Sequence, residues 1–186
     1  MANQDQRSYD IQAILQEMRD EYWRSLEETE QTSTSEIREF VIFRLGNERY
    51  GIATGSAREV LRLPRLVPVP RLPAQIRGII NLRGLILAVT DLRPLLGLQS
   101  GELPARPQLI VAEAAGLTTA LLTEGVEGIR SIAVDTIEPI TEGLAGFPRE
   151  AALGHVATDQ GLLILLDLEH ILARDEFIID QKGGAA

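Results

Sequence analysis

The strongest constraint on the fold of this chain is a fifteen-residue segment, 78–92, that recurs in weaker form 76 residues later. Its sequence, Gly-Ile-Ile-Asn-Leu-Arg-Gly-Leu-Ile-Leu-Ala-Val-Thr-Asp-Leu, places two apolar runs on either side of a turn that holds an arginine. The second copy starts at Gly154, passes through Gly161 and reaches Asp167 with the same thirteen-residue step from first glycine to aspartate. Apolar runs joined by a short glycine-containing turn are typical of a β-hairpin. The repeat therefore predicts a duplicated β architecture.

Each copy is preceded by another predicted hairpin and a further short strand, and is followed by a short helix. The expected strands are Phe40–Leu45, Tyr50–Ala53 and 57–61 in the first half, and Leu109–Glu113, Thr118–Leu122 and 126–129 in the second, with turns at 46–49 and 114–117. Asp91 and Asp167 are expected to cap short helices over 92–96 and 168–172. The order hairpin, strand, connection, hairpin, short helix thus occurs twice.

This pattern predicts an all-β fold. About five short strands per half, without crossover helices between parallel strands, favour two small antiparallel barrels over an α/β sheet. The connection Arg62–Arg77 carries Pro64, Pro68, Pro70 and Pro73, which exclude a helix interior or a central strand. We expect that connection to run extended across the surface.

An amphipathic helix is predicted near the amino terminus, between Tyr9 and Glu30. Its apolar residues recur at three- and four-residue steps, with Ser8 as the expected N-cap and a Thr-rich linker after it: Ile11, Ile14, Leu15, Met18, Tyr22 and Leu26. This stripe could pack on the body of the protein or fray. Alternatively, it could dock on a partner or drive self-association.

Charge is distributed unevenly along the chain, whose net charge is −9. Residues 1–39 hold ten acids and four arginines, whereas residues 44–106 hold ten arginines and four acids, a local balance of +6. A basic segment between acidic ones favours attraction to an acidic protein surface or to the chain's own acidic parts. With only eight aromatic residues and an overall acidic balance, nucleic-acid binding is not expected.

The cysteine content and the hydropathy of the chain indicate the cellular compartment in which the protein is expected. The chain has no cysteine, which fits a reducing environment and excludes thiol chemistry. Its apolar runs, such as 85–89 and 162–166, are much shorter than the roughly 18 residues of a membrane-spanning helix, and the amino terminus lacks the pattern of a secretory signal. We expect a cytoplasmic protein that does not insert directly into a membrane.

Catalytic and cofactor-binding motifs are absent from the sequence. His155 and His170 belong to no recognised metal or nucleophile pattern, and no phosphate-binding glycine motif follows a strand. Asp91 and Asp167 could form a carboxylate pair, but capping explains them better. The sequence therefore predicts a non-enzyme without cofactor or metal. The alternative from another class is a small-ligand-binding barrel or hydrolase that uses Asp91 with one of the histidines.

The tip of the first predicted hairpin, Asn81-Leu82-Arg83-Gly84, is chemically more specific than the second tip, Thr158-Asp159-Gln160-Gly161. Asn81 and Gly84 suit the turn, so Leu82 and Arg83 would be displayed. The guanidinium offers a fixed fork of donors to a carboxylate. Arg83 could anchor a protein partner, or it could form an intramolecular salt bridge, for example with Glu59.

Several of these segments resemble the CheW family, the coupling proteins of bacterial chemosensory arrays. The likeness covers roughly 39–178 and rests on Phe43-x-Leu45-Gly46-x-x-x-Tyr50-Gly51-Ile52, Arg58-Glu59-Val60, Pro70-x-x-Pro73, Arg77 to Gly84, and Val89-x-Asp91-Leu92. The resemblance implies two intertwined five-stranded SH3-like barrels without catalytic activity. It also implies two partners, the cytoplasmic tip of a methyl-accepting chemoreceptor and the regulatory domain of a CheA-type histidine kinase, which shares the fold.

Receptor-binding positions follow from the resemblance residue by residue. Gly78 and Arg83 match receptor-groove positions, Glu59 matches an acidic position, and Ala57 stands where the family usually has valine. With the tip residues, the predicted receptor-binding set is Ala57, Glu59, Gly78, Asn81, Leu82 and Arg83; the resemblance gives no kinase-binding residues. The expected organisation is an acidic extension over 1–38, a CheW-like domain over 39–178 and a flexible tail over 179–186. The extension favours a specialised pathway such as pilus motility or gliding.

Overall fold

Ten β-strands form two five-stranded sheets in the computed structural model, which describes residues 35–99, 101–140 and 147–174. The strands are β1 (Ile37–Leu45), β2 (Glu48–Ala53), β3 (Ala57–Arg62), β4 (Ile76–Leu82), β5 (Leu85–Thr90), β6 (Gln108–Ala114), β7 (Leu117–Thr123), β8 (Gly125–Ala133), β9 (Ala152–Thr158) and β10 (Gly161–Leu166). One helix, α1 (Leu168–Leu172), follows β10. The all-β prediction is confirmed. The predicted amino-terminal helix and the tail over 179–186 lie outside the described residues.

Each sheet combines strands from both halves of the sequence. Sheet A has the order β8-β1-β2-β10-β9, and sheet B has the order β3-β6-β7-β5-β4. The first hairpin of each half therefore joins strands of the other half, which confirms the intertwining that the family resemblance implies. The simpler expectation of wholly antiparallel barrels is wrong, because β2 pairs with β10 and β5 pairs with β7 in parallel. The halves meet at these two parallel contacts and at the antiparallel pairings β1–β8 and β3–β6.

The turns within the first hairpin of each half are shorter than predicted. Leu45 pairs with Glu48, and Ala114 pairs with Leu117, so each loop contains two residues. Ala115 and Gly116 both have positive φ, at 50° and 72°. Two successive positive φ angles are the backbone requirement of the type I′ hairpin turn, which matches the right-handed twist of the flanking strands.

Buried side chains form three apolar clusters, because the central strands are covered on both faces. Successive residues of a strand point to opposite faces; on β6, Leu109 and Val111 enter the core of sheet B, whereas Ile110 and Ala112 enter a core shared with sheet A. We call the shared cluster the inter-barrel core. Its buried members come from both sheets and from α1, and include Phe43, Tyr50, Leu92, Ile110, Leu121, Ile164 and Ile171. A third cluster fills sheet A.

Tyr50 is the largest side chain of the inter-barrel core, and its polar end is satisfied. It is fully buried, its ring lies 6.3 Å from that of Phe43, and its hydroxyl donates a hydrogen bond to the Glu48 carboxylate. Burial, with a further contribution from this hydrogen bond, raises the pKa of the Tyr50 phenol well above its ordinary value. The phenol therefore stays neutral throughout the physiological range.

The first glycine of each repeated hairpin has a specific backbone role. The proline-rich connection folds back over β4, where the amide nitrogens of Val67 and Ile79 each donate to the other residue's carbonyl oxygen at 2.9 Å. Gly78 (φ 144°) lies beneath this bridge, and a Cβ there would stand 2.5 Å from the Val67 carbonyl oxygen. Gly154 (φ 153°) has the same relation to Glu138, whose carbonyl oxygen would be 2.6 Å away. Glycine is thus required at both positions.

The two equivalent aspartates have different roles, which corrects the capping prediction for Asp91. Asp167 caps α1, because its Oδ1 accepts a hydrogen bond from the His170 amide at 3.0 Å. Asp91 is fully buried and accepts hydrogen bonds from the side chain of Arg93, whose Nε lies 2.9 Å from Oδ1 and whose terminal nitrogen lies 2.8 Å from Oδ2. The predicted helix over 92–96 is a single 3-10 turn at Pro94–Leu96.

Arg93 extends this buried ion pair toward sheet A. Its side chain lies 3.6 Å from Glu124, whose Oε1 accepts the Gly46 amide at 2.9 Å in the β1–β2 turn. Hydrogen bonding to Asp91 raises the pKa of the Arg93 guanidinium, against the opposing effect of burial. The guanidinium is therefore charged, and it links the end of β5 to a turn of the other sheet.

No helix among the described residues is long and apolar enough to cross a membrane.

We predict that Asp91→Asn lowers the free energy of unfolding by about 3–5 kcal/mol, because it removes the hydrogen-bonded counter-ion of the largely buried Arg93 and leaves the more distant Glu124, at 3.6 Å, as its opposite charge. Urea denaturation would measure the change. Arg58→Ala is the matched control, since it removes an ion pair to Glu113 whose side chains are 60% and 47% exposed; we expect a loss of at most about 1 kcal/mol. Equal effects of the two variants would contradict the assignment of Asp91 as a structural anchor.

Candidate protein-binding site

The β4–β5 hairpin ends in a tight two-residue turn that fixes the direction of Arg83. Leu82 pairs with Leu85, and the turn residues Arg83 and Gly84 both have positive φ, at 52° and 90°. Asn81 supports the turn, because its side-chain oxygen accepts a hydrogen bond from the Gly84 amide at 2.8 Å. A non-glycine residue at positive φ is uncommon, so the sequence keeps an arginine at this tip in a restricted backbone conformation.

Arg83 lies over the edge of sheet B and forms a bidentate ion pair with Glu59 on β3. The two nitrogen–oxygen distances are 3.2 and 2.9 Å. The Arg83 side chain is still 77% exposed, whereas that of Glu59 is 29% exposed. The predicted salt bridge with Glu59 is therefore confirmed, whereas the role of Arg83 as an anchor for a partner stays a prediction; most of its side chain remains exposed. Since β3 and β4 are the two edges of sheet B, this pair connects them.

The other predicted receptor-binding residues occupy different environments around this pair. Asn81 is exposed, and Ala57 is half-buried at the margin of the inter-barrel core. Leu82 is not displayed as expected; it is half-buried and packs against the core of sheet B. Gly78 is buried beneath Val67. It can therefore affect the candidate binding surface only indirectly, by setting the position of the β4–β5 hairpin. Arg83, Glu59 and Asn81 are thus the polar groups of the set.

The sequence analysis missed the apolar surface at this tip, which belongs to Leu85 and Ile86. Their side chains are 67% and 61% exposed. Leu87 and Val89 point into the core of sheet B, and Ile86 faces the opposite side of the strand. In a half-buried strand that position is usually polar, and the uninterrupted apolar run from Leu85 to Val89 was the signal that could have identified it. The site therefore combines one exposed cation with two exposed aliphatic side chains.

Sheet A carries a related tip with the opposite charge arrangement. Asp159, in the β9–β10 turn, lies 4.0 Å from Arg130 on the edge strand β8. Ile129 and Leu162 nearby on β8 and β10 are 63% and 41% exposed. The tip is thus acidic and the edge strand basic, the reverse of Arg83 and Glu59. The duplicated fold presents two surfaces of similar construction and different charge.

The geometry does not support the catalytic alternative. Both carboxylate oxygens of the fully buried Asp91 accept hydrogen bonds from Arg93. His155 lies on β9 with Nε2 3.6 Å from Glu138, and its buried Nδ1 has no hydrogen-bond partner among the described residues. Within the described ranges there is no group of three or more His, Cys, Asp or Glu side chains that could hold a metal ion. Asp91 is therefore not available to act with either histidine.

Comparison with known proteins agrees with this architecture. The family model of the CheW-like domain matches residues 39–176. A probable chemotaxis protein CheW from Rhizobium etli is 31% identical over 139 residues, covering 75% of this chain and 90% of that protein. Protein FrzA from Myxococcus xanthus is 30% identical over 135 residues, covering 72% and 84%. The crystal structure of the scaffolding protein TtCheW from Thermoanaerobacter tengcongensis superposes with a TM-score of 0.67 at 26% identity, covering 76% of this chain and 96% of that one.

The two intertwined β-barrels and these matches place the protein in a class of scaffolds and adaptors. The match over 39–176 identifies its family: the chain belongs to the CheW-like domain family of chemotaxis scaffolds and adaptors.

We predict that Gly78→Ala destabilises the protein by about 2–4 kcal/mol, because it combines an unfavourable φ with overlap onto the Val67 carbonyl. Gly84→Ala is the control at a positive φ with open space around it, and its expected loss is about 1 kcal/mol. Urea unfolding of both variants gives the comparison. A fully stable Gly78→Ala protein would show that Gly78 has no structural role and would favour direct contact with a partner.

Proposed function

We propose that this protein is a non-catalytic adaptor that couples methyl-accepting receptors to a CheA-type histidine kinase in a chemosensory array. Membership of a scaffold family sets the class. The observation that carries the finer assignment is the β4–β5 tip, where a rigid turn presents a largely exposed guanidinium beside two exposed aliphatic residues. The protein would be cytoplasmic and would reach the membrane only through its partners.

The receptor surface consists of the predicted set, Ala57, Glu59, Gly78, Asn81, Leu82 and Arg83, with Leu85 and Ile86 added from the structure. A few arginine and apolar anchors usually provide most of the energy of an interface. A receptor carboxylate can bind the exposed part of the Arg83 fork or replace Glu59 as its partner. Gly78 and Leu82 hold the hairpin in place from beneath.

The kinase surface lies on sheet A, around Ile129 and Leu162. These side chains are exposed on β8 and β10, in a different sheet from the hairpin that carries Arg83. The kinase regulatory domain has the same fold in the family that this chain resembles, so an apolar barrel surface would meet a similar one. Separate receptor and kinase surfaces are what a coupling protein needs, because both partners must bind at once.

The relatives leave two candidates for the signalling pathway in which the protein acts. Most of the named relatives are chemotaxis proteins, and FrzA shows that the family also includes a protein with another designation. The alternative is a CheW-like scaffold of a pilus-motility or gliding pathway. Both choices require the same two surfaces.

We expect Arg83→Glu to reduce receptor association at least tenfold while the melting temperature changes by no more than about 1–2 °C, because exposed substitutions rarely change stability by more than about 0.5 kcal/mol. Co-sedimentation with receptor-containing membranes would measure association. Arg58→Glu is the matched control, since Arg58 forms a similar exposed pair with Glu113 at 2.8 Å. Equal binding by both variants would contradict the assignment of the tip.

A charge exchange separates the two roles of Arg83. The double variant Glu59→Arg/Arg83→Glu keeps an ion pair between the edge strands but moves the cation away from the tip. If the receptor needs the guanidinium at the tip, the exchange will not restore binding. Recovery of binding would instead show that the ion pair itself, through the position of the hairpin, is what the receptor requires.

We expect Ile129→Glu/Leu162→Glu to weaken binding to the kinase regulatory domain at least tenfold without affecting receptor association, because two charges would be desolvated in an apolar interface. Isothermal titration calorimetry with that domain is the measurement. The control is Leu103→Glu, which changes a residue of similar exposure, 40%, between β5 and β6. A loss of both partners would indicate general misfolding or a shared surface.

Recovery of native partners tests the function as a whole. The wild-type protein and the Arg83→Glu variant are tagged in the native host, recovered under mild conditions and compared by mass spectrometry. We expect the wild type to recover a receptor and a CheA-type kinase, and the variant to recover the kinase alone. Absence of both from the wild-type sample would contradict the proposal, and the recovered receptor identifies the pathway.

A further inference from the structure

An apolar groove of about 230 Å³ lies on the outer face of sheet B, away from the Arg83–Glu59 pair. Its walls come from the proline-rich connection, the β4–β5 hairpin, β7 and α1, and include Leu72, Ile76, Ile79, Ala88, Leu117 and Leu172. None of the site residues in the receptor proposal lines it. The groove is therefore a separate feature of the fold.

The two buried threonines of the groove, Thr90 and Thr119, already have hydrogen-bond partners. The hydroxyls of Thr90 and Thr119 form a hydrogen bond with each other at 2.7 Å, and Thr119 Oγ1 also bonds the Ala88 carbonyl oxygen at 3.0 Å. Neither hydroxyl needs a ligand to complete its hydrogen bonding. The chemistry of the groove thus favours an aliphatic or aromatic side chain over a polar small molecule.

The chain itself supplies such side chains immediately beyond the described residues. Leu172, which is part of the groove wall, is the last residue of α1. Arg174, two residues later, is held by an ion pair to Glu150 at 3.4 Å, which fixes where the chain leaves the domain. The next six residues are Asp-Glu-Phe-Ile-Ile-Asp, so the apolar run 177–179 begins five residues after Leu172.

Distance and charge both permit this segment to reach the groove. Five residues span up to roughly 17 Å when extended, and Leu172 already lies at the groove. Attachment to the same chain also gives a short segment an effective concentration of the order of millimolar. Arg71 is exposed beside Leu72, and no carboxylate in the described part of the chain forms an ion pair with it. The acids that flank the apolar run, Asp175, Glu176 and Asp180, are complementary to it.

We propose that residues 175–180 of this chain dock into the groove on sheet B, with Phe177 as the principal apolar anchor and the flanking acids near Arg71. The docked segment covers the outer face of the hairpin whose tip carries Arg83. The proposal does not depend on the receptor assignment, because none of the residues that line the groove belongs to the receptor set.

The absence of native cysteines allows a direct crosslinking test. The double variant Thr118→Cys/Phe177→Cys places one thiol at the groove and one in the segment, and Thr118→Cys/Ala185→Cys is the control with a thiol elsewhere in the same terminal region. Docking predicts that the first pair forms an intramolecular disulfide at least tenfold faster than the second under mild oxidation, because a disulfide needs Cβ atoms about 3.5–4.5 Å apart. Equal rates would overturn the proposal.

A second measurement does not require cysteine and identifies other occupants. Ending the chain after Arg174, or introducing Phe177→Ser, should lower the melting temperature by about 4 °C and reduce the protection of the Ile79 and Ala88 amides against hydrogen exchange at least tenfold. Gln181→Ser is the control outside the apolar run. Unchanged melting and exchange would overturn the proposal. A disulfide that joins two chains would also overturn it, by assigning the groove to a second copy.

Discussion

The parallel pairings β2–β10 and β5–β7 are the contacts on which the rest of this structure depends. Each joins a strand of one sequence half to a strand of the other, so neither sheet is complete without both halves. Of these strands, β7 and β10 are covered on two faces, with alternate residues entering a barrel core or the inter-barrel core. Separation of the halves would therefore break both sheets and expose all three cores. The functional tips are supported by a single cooperative body.

Sequence patterns predicted the hairpins and their duplication because those features depend on local turns and strand periodicity. They also predicted that Asp167 caps a helix, because such a cap depends only on a backbone amide a few residues along the chain. They did not predict the role of Asp91. Its partner Arg93 is only two residues away, but the burial of this pair and the approach of Glu124 depend on how distant segments pack. The requirement for glycine at 78 likewise depends on Val67, a residue of a connection whose path no local pattern specifies. Leu82 was predicted to be displayed for the same reason: its burial depends on the core of sheet B.

The two tips show how a duplicated fold can acquire different binding specificities. The bridge over the first glycine of the hairpin is present in both halves, at Val67–Ile79 and at Glu138–His155. The scaffolds are therefore equivalent at the backbone, whereas the charges on the tips are opposite, Arg83 in one and Asp159 in the other. Complementary charge mainly controls which partner approaches and in which orientation. Divergence of a few exposed residues is thus sufficient to separate two interaction surfaces without altering either core.

The position of the β4–β5 hairpin connects the site to the rest of the molecule. Its inner face packs in the core of sheet B, its outer face forms a wall of the apolar groove, and its tip holds Arg83 beside Glu59. Asp91, at the end of β5, is anchored by Arg93, which in turn approaches Glu124 near the β1–β2 turn of sheet A. A partner that moves the tip must therefore act against the packing of the inner face of the hairpin and a buried ion pair at its base. Such a support favours a surface whose geometry is set before binding, which reduces the entropy lost on association.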